Sequence, residues 1–118
     1  MTRIAILGCK RIQDQLCIAC AKCLKAIRKK EGEFARYAEE IDLVALAACG
    51  DCPGLIIPKI KLMREIASGL DRDFDVIHLG TCIVNAKKTG KCPLDFDQLP
   101  ALVKEKFGKE LVLGTHPY

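Results

Sequence analysis

The chain has 118 residues, half of them apolar, which suits one domain built around one core. A formal net charge of +4 is too small to mark a nucleic-acid binder, and no apolar run is long enough to cross a membrane. The dominant signal is eight cysteines in a chain with two tyrosines, four phenylalanines and no tryptophan.

The first predicted strand is RIAILGC, residues 3–9. It begins with no basic leader, long apolar segment or small-residue cleavage site, so a cytosolic protein is expected. Disulfides are disfavoured in the cytosol, which turns clustered cysteines into candidate metal ligands or redox thiols. A helical stretch over 18–38 carries Leu24, Ile27, Phe34 and Tyr37, with a break at Gly32. DLVALAAC, residues 42–49, is the second strand. The second helix, 58–69, has Pro58 in its first turn, Gly69 as its stop and Ile60, Met63 and Ile66–Ala67 on one face. DVIHLGTC, residues 75–82, is the third strand, and a basic loop joins Cys82 to Cys92. The last helix, 97–107, has Asp97 as N-cap, Pro100 in its first turn and Gly108 as C-cap. ELVLGTH, residues 110–116, is the fourth strand.

Strands that are apolar throughout, rather than alternating, suit a sheet buried on both faces. The β-α-β-α-β-α-β order therefore predicts an α/β fold. Its expected form is a small parallel sheet of about four strands with helices on both faces, a three-layer sandwich of flavodoxin or Rossmann type. No linker, low-complexity tract or tandem repeat interrupts residues 1–118, which read as one cysteine-rich domain. The recurring endings Leu7-Gly8-Cys9, Leu79-Gly80-Thr81-Cys82 and Leu113-Gly114-Thr115-His116 signal a recurring strand–turn geometry.

In a parallel sheet all strands point the same way. Cys9, Cys49, Cys82 and His116 each end a predicted strand, so they gather at the edge where open α/β folds bind ligands. Cys17, Cys20, Cys23, Cys52 and Cys92 lie in segments expected to leave that edge. The C-x2-C spacing of Cys49 and Cys52 lets two sulfurs reach one metal. The C-x2-C-x2-C run of Cys17, Cys20 and Cys23 is similar to the first three ligands of bacterial-type ferredoxins, whose fourth cysteine precedes a proline. Cys52 and Cys92 both precede prolines. Thiolates select zinc, iron–sulfur clusters or copper(I), and eight of them could hold two four-iron clusters. Plainer readings stand beside these. A cysteine is often a small buried hydrophobe, and residues 17–23 could be the opening turns of a helix with its thiols as packing. His78, inside a strand, suits the core. Lys25, Arg28, Lys29 and Lys30 suit a solvated helix end. Lys87 and Lys88 could balance thiolate charge.

The chain resembles the CGGC domain family of anaerobic bacteria and archaea, through Cys49-Gly50-Asp51-Cys52-Pro53-Gly54, Cys9, Cys17, Cys82-Ile83, Cys92-Pro93 and Thr115-His116. The resemblance implies a metal-binding domain, with zinc proposed from the cysteines and histidines. Asp51 stands where the family has its second glycine, Leu94 replaces a histidine, and Cys20 and Cys23 are additional to the usual pattern. The extra thiols favour iron–sulfur loading over zinc.

The leading expectation is therefore a cytoplasmic iron–sulfur protein that carries electrons to a redox protein partner or senses redox state, with no nucleic-acid or membrane partner. Zinc bound by the same ligands is the alternative. A thiol-based redox or sulfur-transfer enzyme using Cys49 and Cys52 as an exchanging pair is a third reading. Binding of FMN is disfavoured because the first strand–helix turn, GCKRIQDQLC, lacks the small residues of a phosphate cradle.

Overall fold

The computed structural model describes residues 2–8, 21–48, 56–88 and 97–115. They form four strands, β1 (Thr2–Gly8), β2 (Ile41–Ala48), β3 (Val76–Leu79) and β4 (Glu110–Leu113), all parallel in the order β2-β1-β3-β4. The helices are α1 (Ala21–Lys29), α2 (Ile56–Gly69), α3 (Thr81–Lys88) and α4 (Leu99–Phe107), with a short 3-10 turn at Gly32–Arg36. This is the predicted α/β architecture.

The pleat divides the apolar residues of the strands between two cores. Ala5, Leu7, Ile77, Leu79 and Leu111 face α2, α3 and α4, where they meet Ile56, Ile60, Met63, Ile83, Leu99 and Val103. Ile4, Ile6, Val76 and Val112 face the other way and pack with Cys23 and Ala26 of α1 and Phe34 of the 3-10 turn. Both faces of β1 are thereby closed, which is why its sequence is apolar without alternation.

Helix α1 ends at Lys29, Lys30 takes a left-handed φ of 53°, and the 3-10 turn follows from Gly32, so the break falls near Gly32 as expected. Several local expectations shift. The inward residues of α1 are Cys23 and Ala26, whereas Leu24 is 46% exposed. In α2 Ile60, Met63 and Ala67 turn inward as expected, but Ile66 points out with Leu62. Helix α2 begins at Ile56, which leaves Pro58 in the first turn as expected. Helix α4 starts at Leu99 after Gln98, which makes no side-chain cap, so Asp97 is not its N-cap; Gly108 closes it in the left-handed conformation at φ 66°.

The larger correction concerns residues 75–82. The strand stops at Leu79, and Thr81–Lys88 is helix α3 where a basic loop was expected. An unbroken apolar reading through Gly80 hid this. The Gly80 carbonyl accepts from the N–H groups of Ile83 and Val84, which starts the helix, and Ile83 reaches the core. Lys88 is exposed at the end of α3.

The N-terminal edge of the sheet is tied by charge. Arg3 makes a two-point contact with Asp75 at 3.2 and 3.0 Å, and Arg72 pairs with Asp42. Lys109, almost fully buried, donates to the Asp73 carboxylate at 2.9 Å and to the Phe74 carbonyl, and lies over the Phe74 ring. The Lys109 hydrogen bond holds the Asp73 carboxyl below the usual carboxylate range. The exposed pairs orient more than they stabilise, because solvent screens them.

His78 is fully buried, as expected for a core residue. Its Nδ1 lies 3.0 Å from the Gly114 carbonyl, so Nδ1 carries the proton and donates. Its Nε2 then accepts from the Tyr37 hydroxyl at 2.6 Å. Burial lowers the His78 pKa below the usual 6.5 and pushes the Tyr37 hydroxyl up to about 12. A base with a lowered folded pKa binds fewer protons folded than unfolded. Its contribution to stability is therefore complete above pH 6.5 and is lost as pH falls below that value through the folded pKa. Denaturant melts of the metal-free protein should show this loss. In His78→Gln the part of the pH slope below 6.5 that belongs to this group should vanish; an unchanged slope would mean that His78 charges freely in the folded state.

Candidate metal centre

The sheet grows in opposite directions on either side of the β1–β3 pair, since β2 adds beside β1 while β4 adds beside β3. In open α/β sheets such a reversal leaves a crevice at the C-terminal ends of the two central strands. Strand β1 ends there at Gly8, and β3 ends there at Leu79.

The Leu-Gly endings meet in register at that edge. Leu7 pairs with Leu79, Leu79 pairs with Leu113, and on the far side Gly8 pairs with Ala48. Two further bonds carry the ladder past the strand ends: the Gly80 N–H donates to the Leu7 carbonyl at 2.8 Å and the Gly114 N–H to the Leu79 carbonyl at 2.7 Å. Gly114 has φ +105°, a backbone state that residues with a side chain rarely adopt. Gly80 is a glycine for a different reason. A Cβ on it would stand 3.0 Å from the Cys82 sulfur, 3.4 Å from the Leu7 carbonyl oxygen and 3.6 Å from the Gly8 Cα. The Cys82 sulfur thus lies against Gly80 at the end of β3, and Cys82 is half-buried in the first turn of α3.

The threonines that follow the two glycines bind each other. The Thr81 N–H donates to the Thr115 hydroxyl at 3.2 Å, and the Thr115 N–H donates to the Thr81 hydroxyl at 3.0 Å. The two hydroxyl oxygens are 3.3 Å apart. The Thr115 carbonyl accepts from Glu33 N–H at 3.0 Å, and the Cys23 sulfur lies 3.1 Å from the Thr115 hydroxyl. Thr115 is fully buried and uses its N–H, carbonyl and hydroxyl at once. Each buried hydrogen bond contributes about 1 kcal/mol net, and leaving the Thr81 N–H unpaired would cost about 1–3 kcal/mol.

Of the predicted site residues the structure describes two. Cys23 lies in the first turn of α1, in line with the plainer reading of its segment as opening helical turns, and is buried with Ile4, Ile6 and Phe34 on one face of the sheet. Its i, i+3 spacing with Ala26 turns both inward. Cys82 packs against the opposite core. Both stand at the C-terminal edge, Cys23 through Thr115 and Cys82 through Gly80. Cys9, Cys17, Cys20, Cys49, Cys52, Cys92 and His116 lie outside the described residues. Among the described residues no three His, Cys, Asp or Glu side chains are grouped to hold a metal ion. Also among them, no helix is long and apolar enough to cross a membrane. Thr81 and Thr115 were not singled out from the sequence as site residues. The repeated Leu-Gly-Thr was the available signal, and only the strand register gives it meaning.

The two glycines should respond differently to alanine. Gly114→Ala forces a strained backbone and should cost about 1–3 kcal/mol. Gly80→Ala can be relieved by rotating the Cys82 side chain, so it should cost about 1 kcal/mol while moving the sulfur. Urea melts and the rate of Cys82 alkylation separate the two. Equal stability losses with unaltered alkylation would refute the packing described for Gly80.

A family model described as CGGC domain matches residues 3–116. The chain is also similar to an uncharacterized protein of Methanocaldococcus jannaschii, 33% identical over 119 residues that take in 97% of this chain and 86% of that one. No solved structure matches.

Proposed function

The chain belongs to the CGGC domain family, and on that premise we propose that it is a metal-binding domain whose centre lies at the C-terminal edge of the sheet, in the crevice between β1 and β3. The observation that carries this reading is the register of the Leu-Gly endings. Three adjacent parallel strands finish together at Leu7-Gly8, Leu79-Gly80 and Leu113-Gly114. In sequence these lead into Cys9, Thr81-Cys82 and Thr115-His116, and the partner of Gly8, Ala48, leads into Cys49. The placement of the Cys82 sulfur against Gly80, at the end of β3, supports the same location. The donor set suits a soft metal, because thiolates outnumber imidazoles and no carboxylate ends a strand at this edge.

The proposed occupant is an iron–sulfur cluster held by cysteines drawn from Cys9, Cys17, Cys20, Cys49, Cys52, Cys82 and Cys92. When bound it would supply one-electron redox chemistry, for transfer to a protein partner or for sensing. One observation favours the second reading, a single zinc. Cys23 is buried in the α1 core and engaged with Thr115, on the face opposite Cys82. That placement subtracts a thiol from the C-x2-C-x2-C run and weakens the case for a separate second cluster.

Anaerobic purification followed by iron, sulfide and zinc analysis decides between the two. Brown protein with broad visible absorbance supports the cluster, colourless protein with stoichiometric zinc supports the second reading, and protein free of both overturns the metal-binding proposal. Cys82→Ser should lower metal content while far-ultraviolet circular dichroism is retained. Cys23→Ser places a hydroxyl among apolar neighbours and should cost stability, about 1–3 kcal/mol, with metal content preserved if Cys23 is a packing residue. Unchanged metal in Cys82→Ser would exclude that sulfur as a ligand.

A further inference from the structure

We propose that the Thr81–Thr115 pair is the positioning device of the centre, fixing the first turn of α3, which carries Cys82, against the end of β4. This rests on the metal-binding reading above and adds to it a role for two residues that bind no metal themselves.

Three features lead there. The bonds are reciprocal: each backbone N–H is held by the hydroxyl of the other threonine, at 3.2 and 3.0 Å, so neither segment can slide without losing both. The pair extends a register already set by Leu79 with Leu113 and by the Gly114 N–H to the Leu79 carbonyl. Finally, each threonine is the residue immediately before a candidate ligand, Cys82 in one segment and His116 in the other. Two β-branched side chains, each locked by a part-buried hydrogen bond, give a rigid reference between the segments. The Cys23 sulfur at 3.1 Å from the Thr115 hydroxyl and the Glu33 N–H on the Thr115 carbonyl anchor the same residue to the α1 face. The lock is therefore referenced to both layers of helices rather than to one loop.

A purely structural lock would change stability alone. A positioning lock also changes the geometry and affinity of the metal it frames. The test uses the full chain, stripped of metal and kept reduced, titrated anaerobically with cobalt(II), with zinc competition for affinity. Thr81→Val and Thr115→Val keep the shape of threonine but lose the hydroxyl acceptor. Thr81→Ser and Thr115→Ser keep the acceptor. Each valine variant should bind metal about 10–100-fold more weakly than the parent, with shifted cobalt absorption bands, and each serine variant should restore both. Should Thr115→Val, whose side chain is fully buried, fail to fold, Thr81→Val carries the test, since Thr81 is only half-buried. Valine variants with parental affinity and band positions overturn this inference while leaving the metal-binding reading intact. A parent chain that takes up no cobalt or zinc overturns that reading, and the inference falls with it.

Discussion

Parallel pairing is the constraint from which the rest of this structure follows. A parallel sheet must send every strand out through the same edge, and it must return the chain by crossovers that cover both faces. In this chain the returns are α1 on one face and α2, α3 and α4 on the other. The helices leave the strand ends as the place where distant sequence segments meet. The β2-β1-β3-β4 order then opens the edge between β1 and β3, where Gly8 ends β1, Gly80 follows β3 and the Cys82 sulfur lies against Gly80.

The two edges of the sheet are built from different chemistry. At the N-terminal edge Arg3 meets Asp75, Arg72 meets Asp42 and Lys109 meets Asp73. At the C-terminal edge the contacts among the described residues join hydroxyl, amide, carbonyl and sulfur groups: Thr81, Thr115, Cys23 and the carbonyl of Leu7. His78 belongs to neither edge. It is held neutral in the core and spends its ring nitrogens on joining Tyr37 to the β4 backbone at Gly114.

Much of this was legible in the sequence, and the exceptions have physical causes. Continuous apolar runs ending in Leu-Gly marked the strands and the direction of the sheet, because burial on both faces removes alternation. Continuous hydrophobicity could not mark where a strand becomes a helix, so Gly80 was read through and α3 was missed; Val and Ile serve both states. Periodicity picked out Leu24 in α1, one residue away from the buried Cys23, and counted Ile66 inward together with Ala67, because small residues facing a close-packed sheet leave only a weak apolar signature of their own. For the candidate site, the sequence supplied the thiols and their common edge. It could not supply the threonine pair, whose partners are 34 residues apart and are matched only by strand register.

The joint at Thr115 has a consequence for the order of events during folding. Its contact with Cys23 spans 92 residues, and the reciprocal bonds with Thr81 span 34. Contacts between remote segments carry the largest loop-closure cost and form late. Until β4 docks, the Cys23 sulfur lacks its hydroxyl neighbour and the α1 core stands open on the side that Val112 will cover. In that interval the thiol meets oxidants as an unfolded cysteine would. Docking of the last strand is thus the step that withdraws the sulfur from solvent, so the protection of this cysteine is completed by β4 and not by α1, the helix that carries it.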